Sequence, residues 1–402
     1  MLIKDVIPAL RYLLPAFLMF LYACKTNEET PAPEPEIENI TAADVTLPEA
    51  LFTDINKVGL GNSSTIILDR LIGLVNATPK SGNIHLSIFL FKYPALVTAL
   101  KEAHNRGVKL HLMIDMSREE SIEENPLTVV ELRNTLKESS EVITVTNDAS
   151  SIAINHNKFV LFSEVHTTKG IEKNVVFQTS HNFNLSDTRK IQDAVTIAHA
   201  GLYQAFRTYW EDMKAKAEQG MKDFQYREYH DPATGIEAHF LPKRKNGTAY
   251  GDDSIVELLD EIGNPATATV RVGMSDWTST RMNIVQKLSE LKAQGAKVEV
   301  IVKSSIAEDI LQALRELEQQ GAYLKVYNMT SSSQTKVNIH SKFIMIDGDL
   351  KGKRTKLLLT GSHNFTQNAL RNNNEVMIKL WDSPLYQKYE TTFNQLKNIP
   401  GI

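Results

Sequence analysis

The sequence predicts an α/β protein built from two similar halves in one chain, and three observations carry that reading. Apolar runs at helical spacing alternate with short β-like runs, which argues for layers of helix and sheet. The same series of elements then recurs at an offset of about 182 to 188 residues. Each copy closes on one polar pattern: a histidine and a lysine two apart, a Ser-His-Asn turn, and an acid eleven positions after the asparagine.

In the first half, Ile66 to Val75 has helical spacing, and Ile84 to Phe91 reads as a strand after the turn Thr78 to Asn83. Tyr93 to Asn105 reads as a helix ending at Gly107, and Val108 to Ile114 as the next strand. Thr128 to Glu138 is helical and Val142 to Thr146 strand-like, and the chain then reaches His156. The second half repeats this with Ile255 to Ile262, Thr269 to Val272, Asn283 to Ala293, Lys297 to Val302, Ile310 to Gln319 and Tyr323 to Tyr327, before His340. Closing helices are expected at Leu202 to Lys214 and Leu385 to Leu396, both opening with Leu-Tyr. Gln219 to Tyr250 is polar and irregular and reads as a connector. The boundary is set near Gln225, giving halves of 46–225 and 226–402.

With 402 residues, 42% hydrophobic and 23% charged, the chain can bury two cores. Its formal net charge of −4 argues against a broad polyanion-binding surface, so nucleic acid is the less favoured partner. The single cysteine, Cys24, ends an apolar run that starts at Tyr12 behind Lys4 and Arg11. That run is short of the roughly 20 residues a span needs. It resembles a bacterial lipoprotein signal: residues 1–23 would be removed and Cys24 lipidated. Residues 24–45, rich in Pro and Glu at their start, would form a tether to the membrane. The expected location is the bacterial cell envelope, exported and lipid-anchored.

Along a strand, His340 and Lys342 share a face, as do His156 and Lys158. An imidazole, an ammonium and the amide of Asn364 or Asn182 at adjoining strand ends form a donor-rich pocket suited to a phosphate. Two such half-sites in one chain are expected to join into one, which a monomer can complete. No HExxH or Cys-His cluster is present, and lysines beside the histidines disfavour a cation, so neither metal nor cofactor is called for.

These residues resemble the phospholipase D superfamily, whose signature is HxKxxxxD followed by GSxN, usually twice in a chain. The second copy matches in full with His340, Lys342, Asp347, Gly361, Ser362 and Asn364; the first keeps His156, Lys158, Ser180 and Asn182 but has Ser163 for the aspartate and Thr179 for the glycine. The style of GSHNFTQNALRNNNE is similar to secreted bacterial members. The resemblance implies two α/β/α sandwich halves with mixed sheets, an active site between them, and a metal-free reaction through a phosphohistidine. It implies His156 as nucleophile and His340 as acid, lysines and asparagines on the phosphate oxygens, and Ser180 and Ser362 in substrate binding. Asp193 and Glu375 are then expected to hold the far nitrogens of the two imidazoles. Asp347 and Gly361 are motif positions with a structural part. The implied substrate is a phospholipid, cleaved to phosphatidic acid and headgroup alcohol, with an endonuclease, a transphosphatidylase or a non-catalytic surface lipoprotein as the other readings.

Overall fold

A computed structural model of the chain describes residues 40–400 apart from 138, 147–152, 218–223, 225, 246–247, 252, 331 and 333–334. The expected signal segment, Cys24, most of the linker and the boundary residue Gln225 lie outside the described residues.

The first half contributes β1 (Glu49–Phe52), β2 (Asn83–Ile88), β3 (Lys109–Asp115), β4 (Glu141–Val145), β5 (Lys158–Thr167), β6 (Gly170–Thr179) and β7 (Asp193–Ala198). Among the described residues these form a seven-stranded sheet in the order β1-β7-β6-β5-β2-β3-β4. The second half contributes β8 (Arg227–Asp231), β9 (Ile236–Phe240), β10 (Thr269–Met274), β11 (Lys297–Lys303), β12 (Tyr323–Tyr327), β13 (Lys342–Leu350), β14 (Lys353–Gly361) and β15 (Val376–Trp381). Their sheet runs β8-β9-β15-β14-β13-β10-β11-β12. The order β7-β6-β5-β2-β3-β4 thus recurs as β15-β14-β13-β10-β11-β12, and the duplication read in the sequence is one of topology.

Both sheets are mixed. β2, β3 and β4 are parallel, as are β10, β11 and β12, while the remaining neighbours are antiparallel. Parallel neighbours need a crossover, supplied by helices such as Pro94–Asn105 and Met282–Ala293. Gly107 and Gly295, which end these two helices, have the same left-handed backbone, φ +97°, which costs a glycine least.

Three cores result. The outer helices of each half cover one face of their own sheet, around Leu71, Leu100 and Phe162 in the first half and Leu258, Leu288 and Ile346 in the second. The third core lies between the sheets and includes the closing helices Ala200–Lys216 and Leu385–Leu396. Its aromatic contacts are reciprocal. Phe206 packs edge-on against Phe159 of its own half and Phe240 of the other, at 5.0 and 5.1 Å; Tyr389 does the same with Phe343 and Phe52, at 5.3 and 4.7 Å. Each closing helix therefore fastens its own half to a strand of the other, β9 for the first closing helix and β1 for the second.

Two expectations change. The connector 219–250 holds the hairpin β8–β9, hidden in the sequence because β8 (REYHD) is a half-exposed strand whose two faces are both polar. The end of the stretch read as linker belongs to the fold: Ala43 bridges Thr167, and Ala43 and Val45 are buried in the first half's outer core.

Candidate active site

In each half the strand carrying the lysine starts where a parallel strand ends, since Lys158 opens β5 opposite Ile88 of β2, and Lys342 opens β13 opposite Met274 of β10. The loops after the parallel strands therefore gather around both lysines. The chain just before each lysine then pairs with the other half. His156 N–H donates to the Asn374 carbonyl at 3.0 Å, and His340 N–H donates to the Ile191 carbonyl at 2.8 Å. The two half-sites are stitched together by backbone. Lys158 Nζ donates to its own histidine's carbonyl at 2.8 Å, and Lys342 does the same to that of His340.

The aromatic residue after each asparagine pins the turn in place. Phe183 stacks edge-on against Phe91 at 5.8 Å, and Phe365 against Trp277 at 4.8 Å. Phe91 and Trp277 are fully buried, so both are core residues.

The partners of the imidazoles cross between halves. His156 Nδ1 lies 2.9 and 3.0 Å from the carboxylate oxygens of Glu375, which is fully buried and also accepts from Ser362 Oγ at 2.5 Å and Asn373 Nδ2 at 3.2 Å. His340 Nδ1 lies 2.9 Å from Gln192 Oε1. Gln192 also accepts from Ser180 Oγ at 2.8 Å, and its amide donates to Asp187 Oδ2 at 3.1 Å. In both cases a proton on Nδ1 leaves Nε2 without a partner among the described residues.

This corrects the assignment of Asp193. Its Oδ2 accepts from Thr360 Oγ1 at 2.7 Å and Tyr389 OH at 2.6 Å, in the core between the halves. Equal spacing from the asparagine misleads because the first half's return is one residue shorter. Ser180 N–H bonds the carbonyl thirteen residues on, at Asp193, whereas Ser362 bonds the one fourteen on, at Val376. Gln192 is thus the counterpart of Glu375, and a one-residue shift along a strand reverses the face. Two variants separate the roles. Asp193→Ala should cost about 1–3 kcal/mol in thermal unfolding, because it strands a buried hydroxyl pair, with a small change in kcat. Gln192→Ala should lower kcat about tenfold or more and also lower Tm, since it strands the buried Ser180 hydroxyl; kcat unchanged in Gln192→Ala but lowered in Asp193→Ala would contradict this register.

Ser180 and Ser362, expected to touch substrate, are instead fully buried and hold Gln192 and Glu375. Their hydroxyls also accept the backbone N–H of Asp193 and Val376, which leaves them turned away from the pocket. Asn182 donates through both its backbone and side-chain nitrogens to Asp187 Oδ2, each at 3.0 Å. Asn364 is half-buried, and its Oδ1 has no partner. His181 and His363, inside the turns, are fully buried, and burial holds the His363 imidazole down to about 3.

The departures from the motif fall away from the chemistry. Asp347 pairs with Arg354 and Lys356 on the β13–β14 hairpin. Its counterpart Ser163 accepts the Asn83 N–H at 2.8 Å. Five residues along a strand from Lys158 is roughly 16 Å, so Ser163 leaves His156 untouched. Gly361 is required where it stands, since a Cβ there would lie 2.0 Å from the Val376 carbonyl oxygen. Thr179 meets the equivalent carbonyl, of Asp193, with its hydroxyl as a donor at 2.6 Å.

Electrostatically the pocket is cationic. Burial is the main reason the Lys158 ammonium is lowered to about 8, partly offset by Glu375. Lys342 is held well below its usual range by burial and then by Lys158 and Lys303. Burial also lowers His156, against the pull of Glu375, and lowers His340 further with help from Lys342 and Lys190. An anionic phosphate entering here meets a charge deficit the protein leaves open. Among the described residues no group of three or more His, Cys, Asp or Glu comes together as a metal site would require, and no helix is long and apolar enough to cross a membrane.

Sequence reasoning missed Gln192, Asp187 and Asn373. An amide carries none of the charge that drew attention to the acids, and Asp187 opens a short 3-10 helix, Asp187–Arg189, outside any motif.

Two α/β halves that each offer a histidine and a lysine to one shared pocket define the phospholipase D superfamily of phosphodiesterases. Residues 74–214 and 258–397 each match the family described as cardiolipin synthase, PLD-like domain, and the chain belongs to that family. It is 29% identical over 143 residues to the mitochondrial cardiolipin hydrolase of Chlamydomonas reinhardtii, a match covering 36% of this chain and 57% of that protein. In fold it is similar to the phosphatidylserine synthase of Haemophilus influenzae Rd KW20, with TM-score 0.59 and 13% identity over 90% of this chain and 89% of that one. The polyphosphate kinase of Porphyromonas gingivalis gives TM-score 0.52 and 14% identity over 86% of this chain and 49% of that one.

Proposed function

We propose that the chain hydrolyses phospholipids to phosphatidic acid and the headgroup alcohol through a phosphohistidine, at a membrane to which Cys24 tethers it after export. The observation that carries this is the inequality of the two imidazoles. His156 has a carboxylate, Glu375, at 2.9 Å on Nδ1, whereas His340 has an amide, Gln192, at 2.9 Å and its nearest carboxylate, Asp187, only at 3.9 Å. A carboxylate stabilises the positive charge that the ring gains on attacking phosphorus, which suits a nucleophile. An amide stabilises imidazolium less, which makes His340 the stronger acid.

In the first step His156 Nε2 attacks phosphorus, the bond to the headgroup oxygen breaks, and His340 gives that oxygen a proton. In the second, His340 takes a proton from water, the hydroxide oxygen bonds phosphorus, and the bond to His156 breaks. Lys158 and Lys342 hold the non-bridging oxygens, and each such donor contributes roughly 2–4 kcal/mol to the barrier reduction. An alcohol in place of water would give a synthase-type transfer, a reading favoured by the family's description and reached from the same intermediate.

The test is to offer the full chain in detergent, with and without His156→Ala, phosphatidylcholine, phosphatidylethanolamine and plasmid DNA without added metal. Headgroup release that vanishes in the variant supports the reading, and nicking of DNA alone sinks it. Radioactive palmitate should label the expressed protein and fail to label Cys24→Ala; label persisting in that variant would refute the tether.

A further inference from the structure

The residue that follows the first parallel strand of each half differs sharply between the two. Ile88 ends β2 opposite Lys158 and Met274 ends β10 opposite Lys342, so the next residues, Phe89 and Ser275, hold matched places beside the pocket. Both are buried. Phe89 belongs to none of the three cores, and its ring lies instead against the pocket's own groups. It meets the His156 imidazole with 5.4 Å between ring centroids and an interplanar angle of 61°, and the Lys158 ammonium stands over its face at 5.6 Å from the centroid. No aromatic ring lies against His340 or Lys342 among the described residues.

One buried side chain fixes the backbone on either side of this ring. Asn125 donates through Nδ2 to the carbonyls of Phe89 and Asp115, each at 2.7 Å, and accepts the Phe91 N–H at 2.7 Å. The Asp115 carboxylate in turn accepts the N–H of Asn155, next to His156, at 2.7 Å. Phe89 and His156 therefore hang from one connected set of hydrogen bonds.

These contacts have chemical consequences. Glu375 holds His156 only at Nδ1, about which the imidazole can still tilt, and a ring packed beside it restricts that tilt. An aromatic face attracts an ammonium, more strongly where water is excluded. The same ring withdraws the imidazole from water. That withdrawal lowers the His156 pKa, with Lys158 and Lys342 adding to the effect and Glu375 opposing it. A serine offers neither an attractive face nor a dry wall, so only one of the two histidines is held in this way. On the reading of His156 as nucleophile given under Proposed function, we propose that Phe89 is a positioning residue for the first step. It holds His156 Nε2 and the Lys158 ammonium in the geometry of attack and keeps that side of the pocket dry.

Two variants divide these contributions, since Phe89→Ala removes both face and wall while Phe89→Leu removes the face and keeps the wall. With the full chain in mixed micelles, Phe89→Ala should lower kcat by about tenfold or more, with KM changed less than about threefold. The acid limb of its kcat/KM should move to higher pH by about half a unit or more, because water then solvates the protonated ring. Phe89→Leu should keep the wild-type limb and lose only about threefold in kcat. Equal losses in both variants with an unmoved limb would mark Phe89 as packing alone and overturn this role. A second measurement needs no substrate: NMR titration of the full chain labelled with ¹⁵N-histidine, the His156 signals being assigned by their loss in His156→Ala. The His156 ring should titrate at higher pH in Phe89→Ala than in wild type and unchanged in Phe89→Leu; a midpoint unmoved in Phe89→Ala overturns the role. If the wild type turns over no lipid, the parent reading fails, and this titration still decides whether Phe89 governs the state of His156.

Discussion

Replacing His156 with alanine should lower kcat/KM by about 10⁴-fold or more, because on the proposed mechanism it is the group that forms the covalent intermediate. His340→Ala should be comparably slow on natural headgroups, whose alkoxides leave poorly without a proton. The two variants should part on a substrate with a good leaving group such as a nitrophenyl ester. There His340→Ala regains much of the first step, since little acid assistance is needed, while His156→Ala stays inactive. Quenching His340→Ala with alkaline detergent during turnover of the nitrophenyl substrate should leave the substrate's phosphoryl group on His156 by mass spectrometry; a phosphoryl group on His340 in a His156→Ala sample would exchange the roles. A pocket in which neither variant lost activity would not be the active site at all.

The second large effect is expected from Glu375→Gln, with kcat lower by about 10²- to 10³-fold. Its pH dependence has a definite sign. Burial lowers the pKa of His156 and Glu375 raises it. Removing the carboxylate charge leaves burial unopposed, so the folded-state value falls further. Attack requires the neutral ring, so the acid limb of kcat/KM, where that ring becomes protonated, should move to lower pH while the plateau drops. A limb that moves to higher pH would show that Glu375 does not act on His156 by charge. Gln192→Glu is the mirror experiment: a carboxylate at His340 should raise that imidazole and weaken it as an acid.

Much of this architecture was legible in the sequence because it is local. His156 and Lys158, or His340 and Lys342, are two residues apart on one strand, and strand geometry alone puts them together. The parallel between HNRGVKLHLMID and KAQGAKVEVIVK reports two crossovers that end on a glycine of the same φ. The matched Ser-His-Asn turns are likewise local, each locked by the aromatic residue that follows. The part played by Ser163 is not local, since its hydroxyl accepts the N–H of Asn83, 80 residues away at the start of a neighbouring strand.

What the sequence determined by itself was therefore the duplication, the α/β character, and the histidines, lysines and turns that define the pocket. What only the tertiary structure decided was which group serves which histidine. Glu375 reaches His156 across 219 residues and Gln192 reaches His340 across 148, both from the opposite half. Counting along the chain selected Asp193 because it is acidic and evenly spaced, but the shorter return turns it into the core, toward Tyr389. Side-chain facing alternates at every residue of a strand, so one residue of slip exchanges pocket for core.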